Sequence, residues 1–109
     1  KGERMPAYVV VEVTVKDAET YERYKQLAPP TIGLYGGRYL ARGGRLQVLE
    51  GTWDTPRFVI LEFPSYERAQ EWWNSPEYAP AKALRQTCTQ TDMLLVDGLP
   101  PGADPAARK

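Results

Sequence analysis

The segment Ala7 to Lys16 reads AYVVVEVTVK, with valine at positions 9, 11, 13 and 15. A period of two places those four side chains on one side of a strand and Tyr8, Val10, Glu12 and Thr14 on the other. One side of this strand is therefore bound for a core. Asp17 is a good N-cap for a following helix in which Ala18, Tyr21, Tyr24, Leu27 and Ala28 recur at helical spacing. Pro29-Pro30 is expected to stop or kink that helix, since proline removes a backbone donor and clashes with the preceding turn. A short further turn from Pro30 would end at Gly36-Gly37, where glycine can cap it.

The runs Arg38 to Arg42 (RYLAR) and Arg45 to Glu50 (RLQVLE) flank Gly43-Gly44, a two-residue turn signal, and together predict a β-hairpin. A loop over 51–56 carries Trp53. Arg57 to Phe63 (RFVILEF) is a nearly continuous apolar strand closed by Pro64. Ser65 caps the next helix, whose face holds Ala69, Trp72 and Trp73. Ser75-Pro76-Glu77 restarts a helix in the favoured order of cap, proline and acid, bringing Tyr78, Ala81, Lys82 and Arg85 onto neighbouring turns. Thr89 to Asp97 (TQTDMLLVD) is the last strand. This order predicts an α+β, ferredoxin-like βαββαβ fold with a four-stranded antiparallel sheet and its helices on one face.

The opposite face must then meet water or a partner. In the phase that sends Val59, Leu61 and Phe63 toward the helices, Phe58, Ile60 and Glu62 look outward beside Tyr8 and Val10. Tyr8, Val10, Phe58 and Ile60 make an apolar patch that suggests an interface, and sheet-on-sheet packing in a symmetric homodimer would cover it.

Composition narrows the chemistry. The chain has 109 residues, enough for one core, with 14 basic and 14 acidic residues, a single cysteine and no histidine. Without histidine, a Ser-His-Asp triad, a Cys-His pair and a His-ligated metal are excluded. Cys88 alone can form neither an internal disulfide nor a thiolate metal cluster. No metal and no cofactor are therefore expected, and a cytoplasmic location is the default in the absence of a signal-peptide-like apolar run. Residues 1–4 read as upstream sequence, 5–98 as the domain, and 99–109, rich in proline and alanine, as a disordered tail. Setting the two ends aside leaves a mildly acidic body without a basic stripe, which argues against a nucleic-acid partner. Charge interrupts every apolar run too often for a membrane partner.

Several motifs in register carry a family resemblance: Tyr21-Glu-Arg-Tyr24, Leu27-Ala-Pro, Tyr35-Gly-Gly-Arg-Tyr39, Arg42-Gly-Gly, Val48-Leu-Glu-Gly51, Leu61-Glu-Phe-Pro64, and Trp73-Asn-Ser-Pro-Glu-Tyr78 followed by Arg85. From Met5 to about Gly98 the chain resembles a small bacterial family of unknown function, DUF1330, within the dimeric α/β-barrel proteins. The resemblance implies a ferredoxin-like protomer and a homodimer, and implies no established reaction. The wider superfamily includes cofactor-free monooxygenases, muconolactone-type isomerases, haem-degrading enzymes and dye-decolourising peroxidases. Its haem-dependent members generally rely on a proximal histidine, which this chain lacks.

Among candidate site residues, Glu12 and Glu62 fall on neighbouring strands and point outward, as an acid/base or ligand-orienting pair or as interface salt-bridge partners. Arg38 and Arg42, four apart on a strand, are expected to share a face and could hold a carboxylate, or pair with Glu12, Glu50 or Glu62. Trp53, Trp72, Trp73, Tyr21, Tyr24, Tyr35 and Tyr78 are expected to line the helical side and could accept a flat organic ligand, or simply form core. Several tyrosine hydroxyls near Arg85 would be unusual for packing alone. Gly36-Gly37 and Gly43-Gly44 are turns, since neither lies between a strand and a helix as a phosphate-binding loop requires. These residues point to a homodimer that binds a small aromatic or carboxylated molecule. Two alternatives are a cofactor-free monooxygenase-like or isomerase-like enzyme and a stress or assembly protein with no small-molecule site.

Overall fold

A computed structural model describes residues 5–107 and has four strands and three helices. They are β1 (Ala7–Val15), α1 (Ala18–Leu34), β2 (Arg38–Arg42), β3 (Arg57–Phe63), α2 (Tyr66–Trp73), α3 (Ala79–Cys88) and β4 (Thr89–Asp97). The reading of residues 1–4 as upstream sequence, and of the last two residues as tail, lies outside the described residues. The strands form one antiparallel sheet in the order β2-β3-β1-β4, the ferredoxin-like arrangement. β1 and β3 are its centre, as their apolar content requires, and β2 and β4 are its edges. None of the helices is long and apolar enough to cross a membrane.

Val9, Val11 and Val13 of β1 and Val59, Leu61 and Phe63 of β3 are buried on one face, under Tyr21, Ala28 and Ile32 of α1, Ala69 and Trp72 of α2, and Ala81 and Cys88 of α3. The period-two reading of both central strands therefore describes the core. Side-chain caps start two of the helices: Asp17 accepts from the Thr20 amide and Ser65 from the Arg68 amide.

Three expectations need correction. First, α1 continues through Pro29-Pro30 to Leu34 rather than stopping there. Pro29 leaves the Lys25 carbonyl without its usual helical donor, and Arg42 Nη2 donates to that carbonyl at 3.2 Å. The exposed Arg42 side chain thus supplies from the sheet what the helix lacks. Second, Arg45–Glu50 is not a strand; residues 43–56 form one long connection between β2 and β3. Gly43, at a φ of 69°, donates its amide to Phe58 O and ends the ladder. The chain leaves the sheet at this turn, so 45–50 does not add to the open edge of β2, and its Leu46, Val48 and Leu49 are exposed. Third, the last helix starts at Ala79, not Ser75; Ser75 Oγ nonetheless accepts from the Tyr78 amide and organises the turn before it. Beyond the sheet, described residues 99–107 are exposed turns.

Candidate functional site

Tyrosine and arginine meet beneath α1 and α3. Tyr21 and Tyr24, three residues apart on the inner side of α1, are stacked with centroids 5.6 Å apart. The Tyr24 and Tyr78 hydroxyls are 2.9 Å apart, and Arg85 Nε donates to the Tyr78 hydroxyl at 3.4 Å. Arg85 is only 4% exposed and Tyr78 is fully buried. From the sheet, Arg57 Nε donates to the Tyr21 hydroxyl at 3.1 Å, with its guanidinium 5.5 Å from the Tyr21 ring. The Arg42 guanidinium lies 4.9 Å from the Tyr39 ring, and that of Arg85 6.0 Å from the Tyr24 ring. Each cation is therefore steered by an aromatic face as well as by a hydrogen bond.

Tyr21, Tyr24, Tyr39, Arg42, Arg57 and Arg85 line a partly open cavity of about 30 Å³, together with Lys25, Ile32, Trp72, Met93 and the core valines and leucine of β1 and β3. That space admits a water or two, or one carboxylate-sized group. Its lining includes Lys25, Arg42, Arg57 and Arg85 but no Asp or Glu. Glu22 pairs with Lys25 at 2.9 Å, while the three arginines make no ion pair among the described residues.

The titration behaviour follows from this setting. Burial, reinforced by the Tyr78 hydroxyl, pushes the Tyr24 pKa far above the ordinary tyrosine value. Burial also raises Tyr39, against the opposing pull of Arg42. For Arg85, burial disfavours the charge, but Tyr78 and Tyr24 more than offset it and raise its pKa above the usual arginine value. The cavity thus combines a permanent cation with protonated phenols. It can donate hydrogen bonds and stabilise negative charge, and among the described residues that line it there is no carboxylate or imidazole to act as a base near neutral pH.

The residues singled out from the sequence divide between two faces. Tyr21, Tyr24, Arg42 and Arg85 come together in the cavity. Arg38 and Glu62 do not join them: they stand opposite each other in register and pair at 2.6 Å on the outer face. The expectation that Arg38 and Arg42 share a face is corrected by a register shift between Tyr39 and Ala41, which pairs Arg38 with outward Glu62 but Arg42 with inward Val59. Glu12 and Glu62 share the outer face but not a site, since Glu12 stands opposite Phe58 and Glu62 opposite Tyr8. Four residues of strand separate them, roughly 13 Å. Trp53 was expected on the helical side and is on the outer one, where its indole N–H donates to Glu12 at 2.9 Å and its ring meets the Phe58 edge. Trp73 flanks a different groove, between α2 and β4, with Lys82 4.1 Å from its ring. Tyr8, Val10, Phe58 and Ile60 are half-buried and look outward as the phase predicted.

Arg57, Tyr39 and Lys25 escaped the sequence reading. Arg57 carried a signal, since it lies in the same phase as Val59, Leu61 and Phe63, and an arginine on the inward register of a core strand needs a reason. Tyr39 lies beside outward Arg38 and opposite inward Leu61, so alternation alone turns it toward the cavity.

The antiparallel sheet with all three helices on one side defines a ferredoxin-like α+β domain. The model for the domain of unknown function DUF1330 matches residues 6–99, and the chain belongs to that family. RPA0582, a protein of unknown function from Rhodopseudomonas palustris, has a similar crystal structure, with a TM-score of 0.73 and 22% identity over 89% of this chain and 85% of that one. A proposed antibiotic biosynthesis monooxygenase from Nitrosomonas europaea superposes with a TM-score of 0.54 at 19% identity, covering 93% of this chain and 96% of that one. A conserved protein from Methanosarcina mazei gives 0.52 at 17% identity, over 87% and 95%. At such identities the likeness is one of fold. No curated protein matches the chain.

Proposed function

We propose that the protein binds a small organic carboxylate, without metal or haem, in the cleft beneath α1 and α3. The observation that carries this reading is Arg85, a nearly buried guanidinium with phenols on one side and no acidic partner among the described residues. A buried charge is costly unless paired, and a carboxylate ligand would supply the missing partner through charge-assisted hydrogen bonds. The size of the cavity favours an anionic head group inside, with the rest of the molecule in the mouth formed by Tyr39 and Arg42. This restricts the aromatic option to the part of the ligand that stays outside. The raised pKa of Tyr24 favours binding over proton abstraction, because a phenol held protonated donates rather than accepts.

The experiment is calorimetric titration with butyrate and benzoate. Arg85→Gln should weaken either ligand at least about tenfold, and Tyr24→Phe, which keeps the ring, should weaken it by less. Saturable binding that both variants leave untouched would remove the cleft as the site.

The outer face fits a second copy of the chain. Leu94 and Val96 of β4 extend the patch of Tyr8, Val10, Phe58 and Ile60. Its charged ends differ, with Glu12 and Asp92 opposite each other at one and the Arg38–Glu62 pair at the other. A two-fold axis through the centre can bring unlike ends together. Sedimentation of wild type and Ile60→Arg should show a dimer becoming a monomer. A wild-type monomer at micromolar concentration defeats the idea. The single cysteine, buried at the end of α3, suits the reducing cytoplasm that this reading assumes.

A further inference from the structure

The cavity carries more positive charge than one carboxylate can answer. Arg85 sits at its buried end, whereas Arg42 is exposed and Arg57 and Lys25 are half-buried at its open side. Lys25 has Glu22 as a partner; among the described residues Arg42 and Arg57 have only neutral ones, the Lys25 carbonyl and the Tyr21 hydroxyl. Both are also fixed in place. The carbonyl that Pro29 leaves free holds Arg42, and Gly43 leaves room against its backbone for the Arg57 guanidinium, where a β-carbon would collide with it. Two cations, held without an acid at the mouth of a site that already has a buried cation, form a second anion-binding position displaced from the first.

From this geometry we infer that the ligand is a small organic dianion. Its first carboxylate enters to Arg85 and Tyr24, and its second anionic group stays at the mouth against Arg42 and Arg57. The inference rests on the carboxylate-binding reading above and adds the second charge. Selectivity arises because a chain-matched monoanion leaves the mouth arginines with water, while the dianion gains their charge-assisted hydrogen bonds. The second group, in a wetter setting, is the more sensitive to salt.

The test is calorimetry on the full chain at low salt with butyrate, succinate, glutarate and 3-phosphonopropionate. Succinate or glutarate should bind at least about tenfold more tightly than butyrate, and that preference should shrink as salt is raised. Comparing succinate with 3-phosphonopropionate identifies the second group, since tighter binding of the latter makes it phosphate-like. Arg42→Gln, at an exposed position, should bring succinate to within about twofold of butyrate. Equal affinity for succinate and butyrate in the wild-type protein overturns the dianion while leaving carboxylate binding intact. Failure of every anion to bind overturns both. If Arg42→Gln weakens butyrate and succinate by the same factor, the mouth is not the seat of a second charge and the inference falls.

Discussion

The two faces of this sheet carry similar residues under opposite electrostatic conditions. On the outer face Arg38 meets its counter-charge Glu62 at 2.6 Å, while Glu12 stands opposite Asp92 and accepts from the Trp53 indole. On the helix-covered face, where an unanswered charge costs more, Arg85, Arg57 and Arg42 have no acidic partner among the described residues. Stability alone would favour the reverse arrangement. Cation and phenol are therefore concentrated where a ligand could complete them, and the outer face, with its charges at the ends and an apolar centre, has the character of a contact surface. The same β1 strand serves both, with valines inward and Tyr8, Val10 and Glu12 outward.

The contrast is tested most severely by truncation. Trp72 packs against Phe63 and Tyr78, with ring centroids 5.2 and 4.2 Å away, and donates its indole N–H to Thr31. Trp72→Ala should cost about 3–5 kcal/mol in urea unfolding. Leu94→Ala, exposed on the outer face, should cost no more than about 0.5 kcal/mol in a single chain. A loss at Leu94 approaching that at Trp72, and dependent on protein concentration, would mean that a second copy covers the outer face. Gly37→Ala should fall between them. A β-carbon at Gly37 would lie 2.6 Å from the Phe63 ring and 2.8 Å from Ile32 Cγ2, so overpacking should cost about 1–3 kcal/mol.

Alkaline pH separates the faces by chemistry. Tyr24 and Tyr39 have folded-state pKa values raised by burial. Below the unfolded value of about 10, both states hold the phenolic protons and stability is undiminished. As pH rises above that value, the unfolded chain releases protons that the folded chain retains, so stability falls until the folded-state values are passed. Unfolding free energies at pH 8, 10 and 11 should show this decline, and Tyr24→Phe should make it shallower. An unchanged slope in the variant would show that the cavity phenols do not govern it.

The sequence revealed the fold where one period governed an element. The valine stripe of β1 and the alternation in RFVILEF gave inward and outward residues that the structure keeps. It misled where a distant residue changed the local balance. Pro29-Pro30 reads as a stop, yet Arg42, far along the chain, supplies a donor to the Lys25 carbonyl and the helix runs on. RLQVLE has a strand's alternation, yet the chain leaves the sheet at Gly43 and does not pair with the open edge of β2. A single bulge in β2 moved Arg42 to the opposite face from Arg38, and no local pattern in RYLAR announces it. Half of the cavity was thus legible, namely Tyr21, Tyr24 and Arg85 on their helices. Of the sheet's contribution, Arg57 shares the inward phase of β3, whereas the side on which Arg42 lies depended on the register shift.

The smallest expected effect is also the sharpest test of which face binds. Arg38 is largely exposed, so its pair with Glu62 should contribute only about 0.2–1 kcal/mol in a double-mutant cycle of Arg38→Ala and Glu62→Gln, with the value shrinking as salt screens it. Neither substitution touches the cavity. Carboxylate affinity measured by calorimetry should therefore stay within about twofold of wild type in both single variants and in the double variant, even as Arg85→Gln weakens it tenfold or more. A tenfold loss of carboxylate binding on removing Arg38 would mean that the outer face, not the helix-covered one, receives the anion. The uncompensated arginines beneath α1 would then need another purpose.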